Sequence, residues 1–441
     1  MRFFDSLFVS LSGFLSCALI ACIHADPLNC SVSAESAILI NADTGMVLFE
    51  KNVSAQHFPA SITKIATALY ALKQKPEELD TKLVAEQDAI GSITPSAKRK
   101  NNYKKPAYWI ETGSTHIGIK KGEELPFRDL LHAILVASAN DASNIVAQYI
   151  GKGSIEHFIE GLNAYLKEIG CQETHFLNPH GLHHPDHKTS ARDMALIARE
   201  AMKIQLFSEI VAKKNYVCAK TNKQPARPIA QSNLLLKKGS YYYEKAIGIK
   251  NGYTSDAGHT LVAAAREGDR TLIAVVLACN ERQETCQDVI TLFNAAFSEV
   301  PVKQSMLKKG LQQHQLAIEG ASSLLQTYLV NDFELEYFPS EEQDVKAILQ
   351  WKNELILPVH ENDQVGSILL YRADDKLIAD IPLLAYSDVK PSFWFSLKSK
   401  LGKLSEWSVV ARGTLLLGII SVITGVFWWL KGRKRLRYEV K

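Results

Sequence analysis

Residues 58–73 read FPASITKIATALYALK. Ser61 stands where an apolar helical pattern begins, and Lys64 follows three positions later. Serine is a favoured N-cap and lysine is common on helix surfaces, so the pair has an ordinary reading. It also has a chemical one. Residues three apart share a helix face, which brings the Lys64 amine within reach of the Ser61 hydroxyl. A desolvated amine loses proton affinity and can serve as a general base at neutral pH. The Ser61 backbone N–H would lie at a helix N-terminus, where an oxyanion is stabilised.

The spacing decides nothing alone, because the chain holds other matches, among them Ser305-Met306-Leu307-Lys308. That one lacks a strand–turn–helix setting. What distinguishes Ser61 is its companions. In LVASANDASNIV, Ser138 and Asn140 close an apolar helix, where a hydroxyl and an amide can relay a proton and hold a peptide carbonyl. In AIGIKNGYTSDAGHTLVAAA, Lys250-Asn251-Gly252 fall on a predicted strand. An edge strand aligns an extended peptide by backbone pairing, glycine permits close approach, and lysine offers charge to a carboxylate.

Ser-x-x-Lys, Ser-x-Asn and Lys-Thr-Gly, in this order, mark the penicillin-binding protein and serine β-lactamase superfamily, which this chain resembles. Its finer texture is similar to the low-molecular-mass D-alanyl-D-alanine carboxypeptidases: PASITKIATA, SANDASN, THFLNPHGLHHPDHKTSARDMA and KNGYTSDAG. The resemblance spans roughly residues 30–300. It implies that Ser61 is acylated, that Lys64 is its base, and that Ser138 and Asn140 assist proton transfer and positioning. It implies that Lys250 attracts the terminal carboxylate and that the N–H groups of Ser61 and Tyr253 form an oxyanion hole. Gly252 and Thr254 complete the expected substrate-binding stretch. The expected substrate is a peptidoglycan stem peptide, with β-lactam antibiotics as inhibitors and no cofactor. DD-endopeptidase action on cross-links and a catalytically weak peptidoglycan-binding module are the alternatives. A β-lactamase is disfavoured, because the Glu-x-x-Leu-Asn setting is one residue out of register at Glu173 to Asn178.

One position departs from the pattern. The family has threonine where this chain has Asn251, and the longer amide is expected to weaken recognition of a free carboxylate. His180, His183, His184 and His187 suggest a metal only superficially: Gly181 and Pro185 break any helix that would align them, and a structural loop with no metal is expected.

Around this centre the expected fold class is α+β. Two strands flank the turn Ala42–Gly45, helices follow Ser61 and fill 128–150 and 155–169, strands return from 246, and 284–298 is helical. Strands at both ends enclosing a helical middle imply one sheet built from the two ends. The basic segment 92–109 is expected to be an exposed insertion. Short alternating runs over 301–390 (FELEYF, VKAILQW, ELILPV, QVGSILLYR, KLIADIPLL) predict a small all-β domain.

The termini carry addresses. Residues 1–25 have the layout of a secretory signal peptide, ending at Ala25, although Leu19–Cys22 also resembles a lipobox. Residues 26–300 would then be the catalytic domain and 391–412 a membrane-proximal stalk. GTLLLGIISVITGVFWWL at 413–430 is uncharged, long enough for one membrane span, and followed by a basic tail at 431–441. That predicts a single-pass inner-membrane protein with its catalytic domain outside. Five cysteines would remain after cleavage (Cys30, Cys171, Cys218, Cys279, Cys286), with no zinc spacing. The 441 residues carry 46% apolar and 22% charged side chains and a formal charge of +3, which gives no sign of nucleic-acid binding.

Overall fold

The computed structural model describes residues 18–23, 28–341, 343–372, 375–404 and 409–435. The chain forms two compact units. One comprises His24–Val302 with Tyr337–Glu342; the other comprises Lys303–Glu336 and Gln343–Lys441 with the first 23 residues.

The first unit is built on a five-stranded antiparallel sheet. Its order is Ala246–Thr254, Gly258–Glu267, Arg270–Cys279, Ser36–Asn41 and Val47–Lys51, so the two ends of the segment do share one sheet. The central strands are apolar on both faces because both are covered. Ile38, Ile40, Val262, Ala264, Ile273 and Val275 point into the helical core. Their neighbours Ala37, Leu39, Leu261, Ala263, Leu272 and Ala274 pack with Cys286, Val289 and Phe293 of the helix Arg282–Phe297. Period-2 alternation of side chains thus feeds two separate apolar layers. The strand Ala246–Thr254 is an edge, which leaves its outer backbone groups for other partners.

The helical layer contains Thr63–Gln74, Phe127–Leu135, Asn140–Ile150, Ile155–Glu168 and Ala191–Met202. The helix expected over 128–150 is two helices. They break at Val136–Ala139, where Ser138 adopts φ +62°, a left-handed conformation that no right-handed helix can continue. The basic segment 92–109 is not a plain solvated loop. It holds the helix Pro95–Lys100, and Lys98, only 3% exposed, pairs with Glu111 at 2.9 Å. A lysine that stays charged when buried is stabilised by such a partner, and the sequence offers no sign of which carboxylate supplies it.

The second unit is built of β-strands over 303–390, as expected. Gly310–Leu316, Leu325–Leu329, Leu377–Ala385, Gln364–Arg372 and Gln343–Trp351 form an antiparallel sheet in that order. Val302–Leu307 pairs with Phe333–Tyr337. ELILPV is not a strand; Pro358 has no N–H to give a ladder, and only Val359 makes an isolated bridge, to Val389. Ser305 is exposed on Val302–Leu307, away from any helix N-terminus.

Most of the leader expected over 1–25 lies outside the described residues; within it, Ala18–Ile23 is a strand antiparallel to Gln343–Trp351. Phe393–Leu404 is helical, and Val409–Arg435 is a helix that includes 413–430. Among the described residues no helix is long and apolar enough to cross a membrane, so the span expected at 413–430 is not established by the structure. In these two helices the side chains at 401–404, 409–416, 419 and 432–435 lie outside the described ones. Cys30, Cys171, Cys218, Cys279 and Cys286 are all free thiols.

Candidate active site

Ser61 lies in a single 3-10 turn, Ala60–Ile62, that runs directly into the helix Thr63–Gln74. The preceding Ala60 has φ +52°, so a strained, left-handed residue presents the serine at the helix mouth. One turn later, Lys64 is fully buried. Its Nζ lies 3.1 Å from Ser61 Oγ, 2.7 Å from Asn140 Oδ1 and 2.6 Å from the His180 carbonyl. The amide oxygen and the carbonyl can only accept, so they take two amine hydrogens. A neutral amine then has its lone pair left for the Ser61 hydroxyl. Burial drives the Lys64 pKa well below the usual lysine value, the nearby Lys250 charge lowers it further, and Asp141 opposes them.

Asn140 is held for this task. Its Nδ2 donates to Ser114 Oγ at 3.0 Å, and its backbone N–H donates to the Thr115 carbonyl at 2.9 Å. Asp141 accepts the N–H groups of Ile117 and Ile119, which fixes the same 114–119 segment. The break at Ser138 turns that side chain to the cleft that Ser61 also lines.

On the opposite wall the strand Ala246–Thr254 passes close to the nucleophile. A methyl group on Gly252 would lie 2.7 Å from the Ser61 nitrogen and from Thr260 Oγ1, so no other residue fits there without displacing the strand. Lys250 is 1% exposed, donates to the Asn251 carbonyl at 2.8 Å, and is pushed by burial down to about 7. Asn251 and Tyr253 line the cleft, and Tyr253 stacks on His259 with ring centroids 4.3 Å apart. Thr254 is not among the lining residues. Its hydroxyl accepts the Ala257 N–H at 3.1 Å and closes the turn at the strand end.

The histidine loop backs the nucleophile helix. His187 Nδ1 accepts the Leu177 N–H at 3.0 Å, which leaves its Nε2–H to donate to Thr63 Oγ1 at 3.0 Å. Thr63 in turn donates to the Ala60 carbonyl at 2.9 Å. Gly181, at φ +89°, lets the loop pass so close that a methyl group would meet the Ala60 carbonyl oxygen at 1.8 Å. His180 Nε2 meets the Tyr108 carbonyl at 2.9 Å. Among the described residues no cluster of histidine, cysteine and carboxylate groups is arranged to hold a metal ion. Glu173 is not in the cleft; Ser190 Oγ donates to it at 3.4 Å.

Sequence reasoning missed several residues in the cleft or supporting it. Ser114 lacks any local signal. Ser232 and Asn233 belong to a loop between elements, and Arg282 opens the helix Arg282–Phe297 two residues before its expected start. Arg282 donates from its guanidinium to the Ser232 carbonyl, which places a cation at the cleft beside Asn251.

This arrangement, a buried amine beside a serine at a helix mouth and an edge strand across the cleft, has known counterparts. The profile of the D-alanyl-D-alanine carboxypeptidase family matches residues 22–281, and that of the penicillin-binding protein 5 C-terminal domain matches 303–391. The D-alanyl-D-alanine carboxypeptidase DacF of Bacillus subtilis is 30% identical, over 85% of this chain and 90% of its own. DacD of Salmonella typhimurium is also 30% identical, over 88% and 96%. Among solved structures, the Streptomyces K15 DD-transpeptidase superposes with a TM-score of 0.52 at 27% identity, covering 61% of this chain and 98% of that one. Penicillin-binding protein 5 of Haemophilus influenzae does so with a TM-score of 0.54 at 24% identity, covering 82% and 98%, and shares the fold. The chain therefore belongs to the D-alanyl-D-alanine carboxypeptidase family and is a serine peptidase of the low-molecular-mass penicillin-binding protein type.

Proposed function

We propose that this protein removes the terminal D-alanine from peptidoglycan stem peptides through an acyl-enzyme on Ser61. The observation that carries the reading is the Lys64 amine, buried and stripped of its usual proton affinity, with Ser61 Oγ 3.1 Å away. Lys64 takes the Ser61 proton as Oγ attacks the penultimate carbonyl. The oxyanion develops beside the backbone N–H groups of Ser61 and Tyr253, at the helix mouth and the strand edge. The peptide C–N bond breaks, and the Ser138 hydroxyl in the same cleft relays the proton taken up by Lys64 to the departing D-alanine amine, which leaves Lys64 neutral again. Water then attacks the ester, giving its proton to Lys64 and restoring the serine. Lys250 and Arg282 supply the positive field for the terminal carboxylate.

The test is a labelled penicillin with intact-mass analysis, alongside D-alanine release from a D-Ala-D-Ala peptide. An adduct on Ser61 that vanishes in Ser61→Ala and persists in Ser305→Ala is expected. An adduct on Ser305, or no release of D-alanine, would overturn the reading.

The location is part of the same proposal: 413–430 holds the catalytic unit on the outer side of the cytoplasmic membrane. Its support is the uncharged run ahead of the basic tail, together with exposed apolar side chains such as Leu417, Ile420, Ile423 and Trp428.

A further inference from the structure

Asn251 is the one core-motif residue whose chemistry differs from the family pattern, and the structure gives it a partner. Ser232 Oγ donates to Asn251 Oδ1 at 2.9 Å, and both residues line the cleft. An amide carries an acceptor and a donor on the same carbon, so anchoring Oδ1 on one side directs the NH2 away from Ser232. The distinction matters because a carboxylate only accepts. An Asn251 that offered its oxygen would repel the terminal carboxylate, whereas one that offers its NH2 makes a charge-assisted bond.

Ser232 is itself fixed from two sides. Its carbonyl accepts the Arg282 guanidinium, and its N–H donates to Gln231 Oε1 at 3.1 Å. Gln231 is fully buried and donates in turn to the Val211 carbonyl at 3.4 Å. Next along, Asn233 is 1% exposed and lines the same cleft. Its Oδ1 accepts the Leu235 N–H at 3.0 Å, and its Nδ2 has no hydrogen-bond partner among the described residues. This wall therefore brings a serine-anchored amide, a second amide with an unpaired donor and one cation together at the cleft, which is the chemistry of an anion site.

We propose that Ser232 is a positioning residue that sets the Asn251 amide donor-first toward the C-terminal carboxylate of the substrate, and so restores the free-acid preference that the missing threonine would have supplied. The inference rests on the carboxypeptidase reading above. It replaces the sequence-based expectation that Asn251 simply weakens carboxylate recognition.

The experiment compares kcat/KM of the full chain for an N-acylated peptide ending in D-Ala-D-Ala with that for the same peptide capped as the carboxamide. Ser232→Ala should lower kcat/KM for the free acid about tenfold or more, mainly through KM, the loss expected for one hydrogen bond to a charged group. The carboxamide value should stay within about twofold, Ser232→Thr should keep most of the wild-type preference, and the Ser232→Ala effect should vanish in an Asn251→Thr background. Equal falls on both peptides would mark Ser232 as merely structural, and no change or a gain on the free acid would mean that Asn251 does not donate there. Either result overturns the role of Ser232 while leaving the carboxypeptidase reading intact. Failure of the wild-type protein to release D-alanine from either peptide overturns both.

Discussion

Two lysines buried behind one cleft repel each other, and the chain uses that. Lys64 must be neutral to accept the Ser61 proton, and Lys250 must be charged to attract a carboxylate. Amines lose their charge as pH rises through their pKa. Acylation should therefore increase with pH as Lys64, held well below its usual range, becomes neutral. It should decline from about 7 upward as Lys250 loses its proton. The expected kcat/KM profile is a bell, and Lys250→Arg, which stays charged, should flatten its alkaline side. An unchanged alkaline limb in that variant would assign the decline to another group. Lys64→Met should slow penicillin acylation of Ser61 by about 10²–10⁴-fold, the usual worth of a general base, with cooperative thermal unfolding retained. A loss under about tenfold would mean that Ser61 draws on a different base. At this scale the sequence was informative for the Ser61/Lys64 pair, since helix periodicity alone brings them together. It was silent on Ser114, Ser232 and the His180 carbonyl, whose partners lie 26, 19 and 116 positions away along the chain.

Among the elements, the edge strand Ala246–Thr254 sets the width of the cleft. Gly252→Ala should push it away from the Ser61 nitrogen and misplace the oxyanion donors. We expect about 10²-fold slower acylation, in line with the loss of one such donor, and about 1–3 kcal/mol of destabilisation from the overpacking. Wild-type acylation in Gly252→Ala would show that the strand can shift without cost. The strands themselves were legible from their apolar runs and turns. Their double-sided burial was not, because alternating residues of one strand serve two layers that only assembly creates. The break at Ser138 was likewise invisible: VASAN has good helical periodicity, and nothing local announces a left-handed serine.

For the whole molecule, the membrane proposal predicts that truncation before Ser408 releases most of the protein from membranes upon fractionation, with what is left of the 391–412 stalk retaining a minor share. Undiminished retention would place the attachment elsewhere, and protease reaching the tail but not the body from outside would reverse the topology. What the sequence determined by itself was local or repetitive: the serine–lysine turn, the strand and helix periods, the all-β texture after 301 and the apolar run near the end. These follow from residue spacing of 2 and 3.6, which needs no partner. Tertiary structure alone decided the rest. It brought the His180 carbonyl and Asn140 onto Lys64, buried Lys98 against Glu111 and gave Asn251 its serine. Each of these is a hydrogen bond or ion pair between segments distant in sequence or from loops without a period, and such contacts leave no trace in the spacing of the residues that make them.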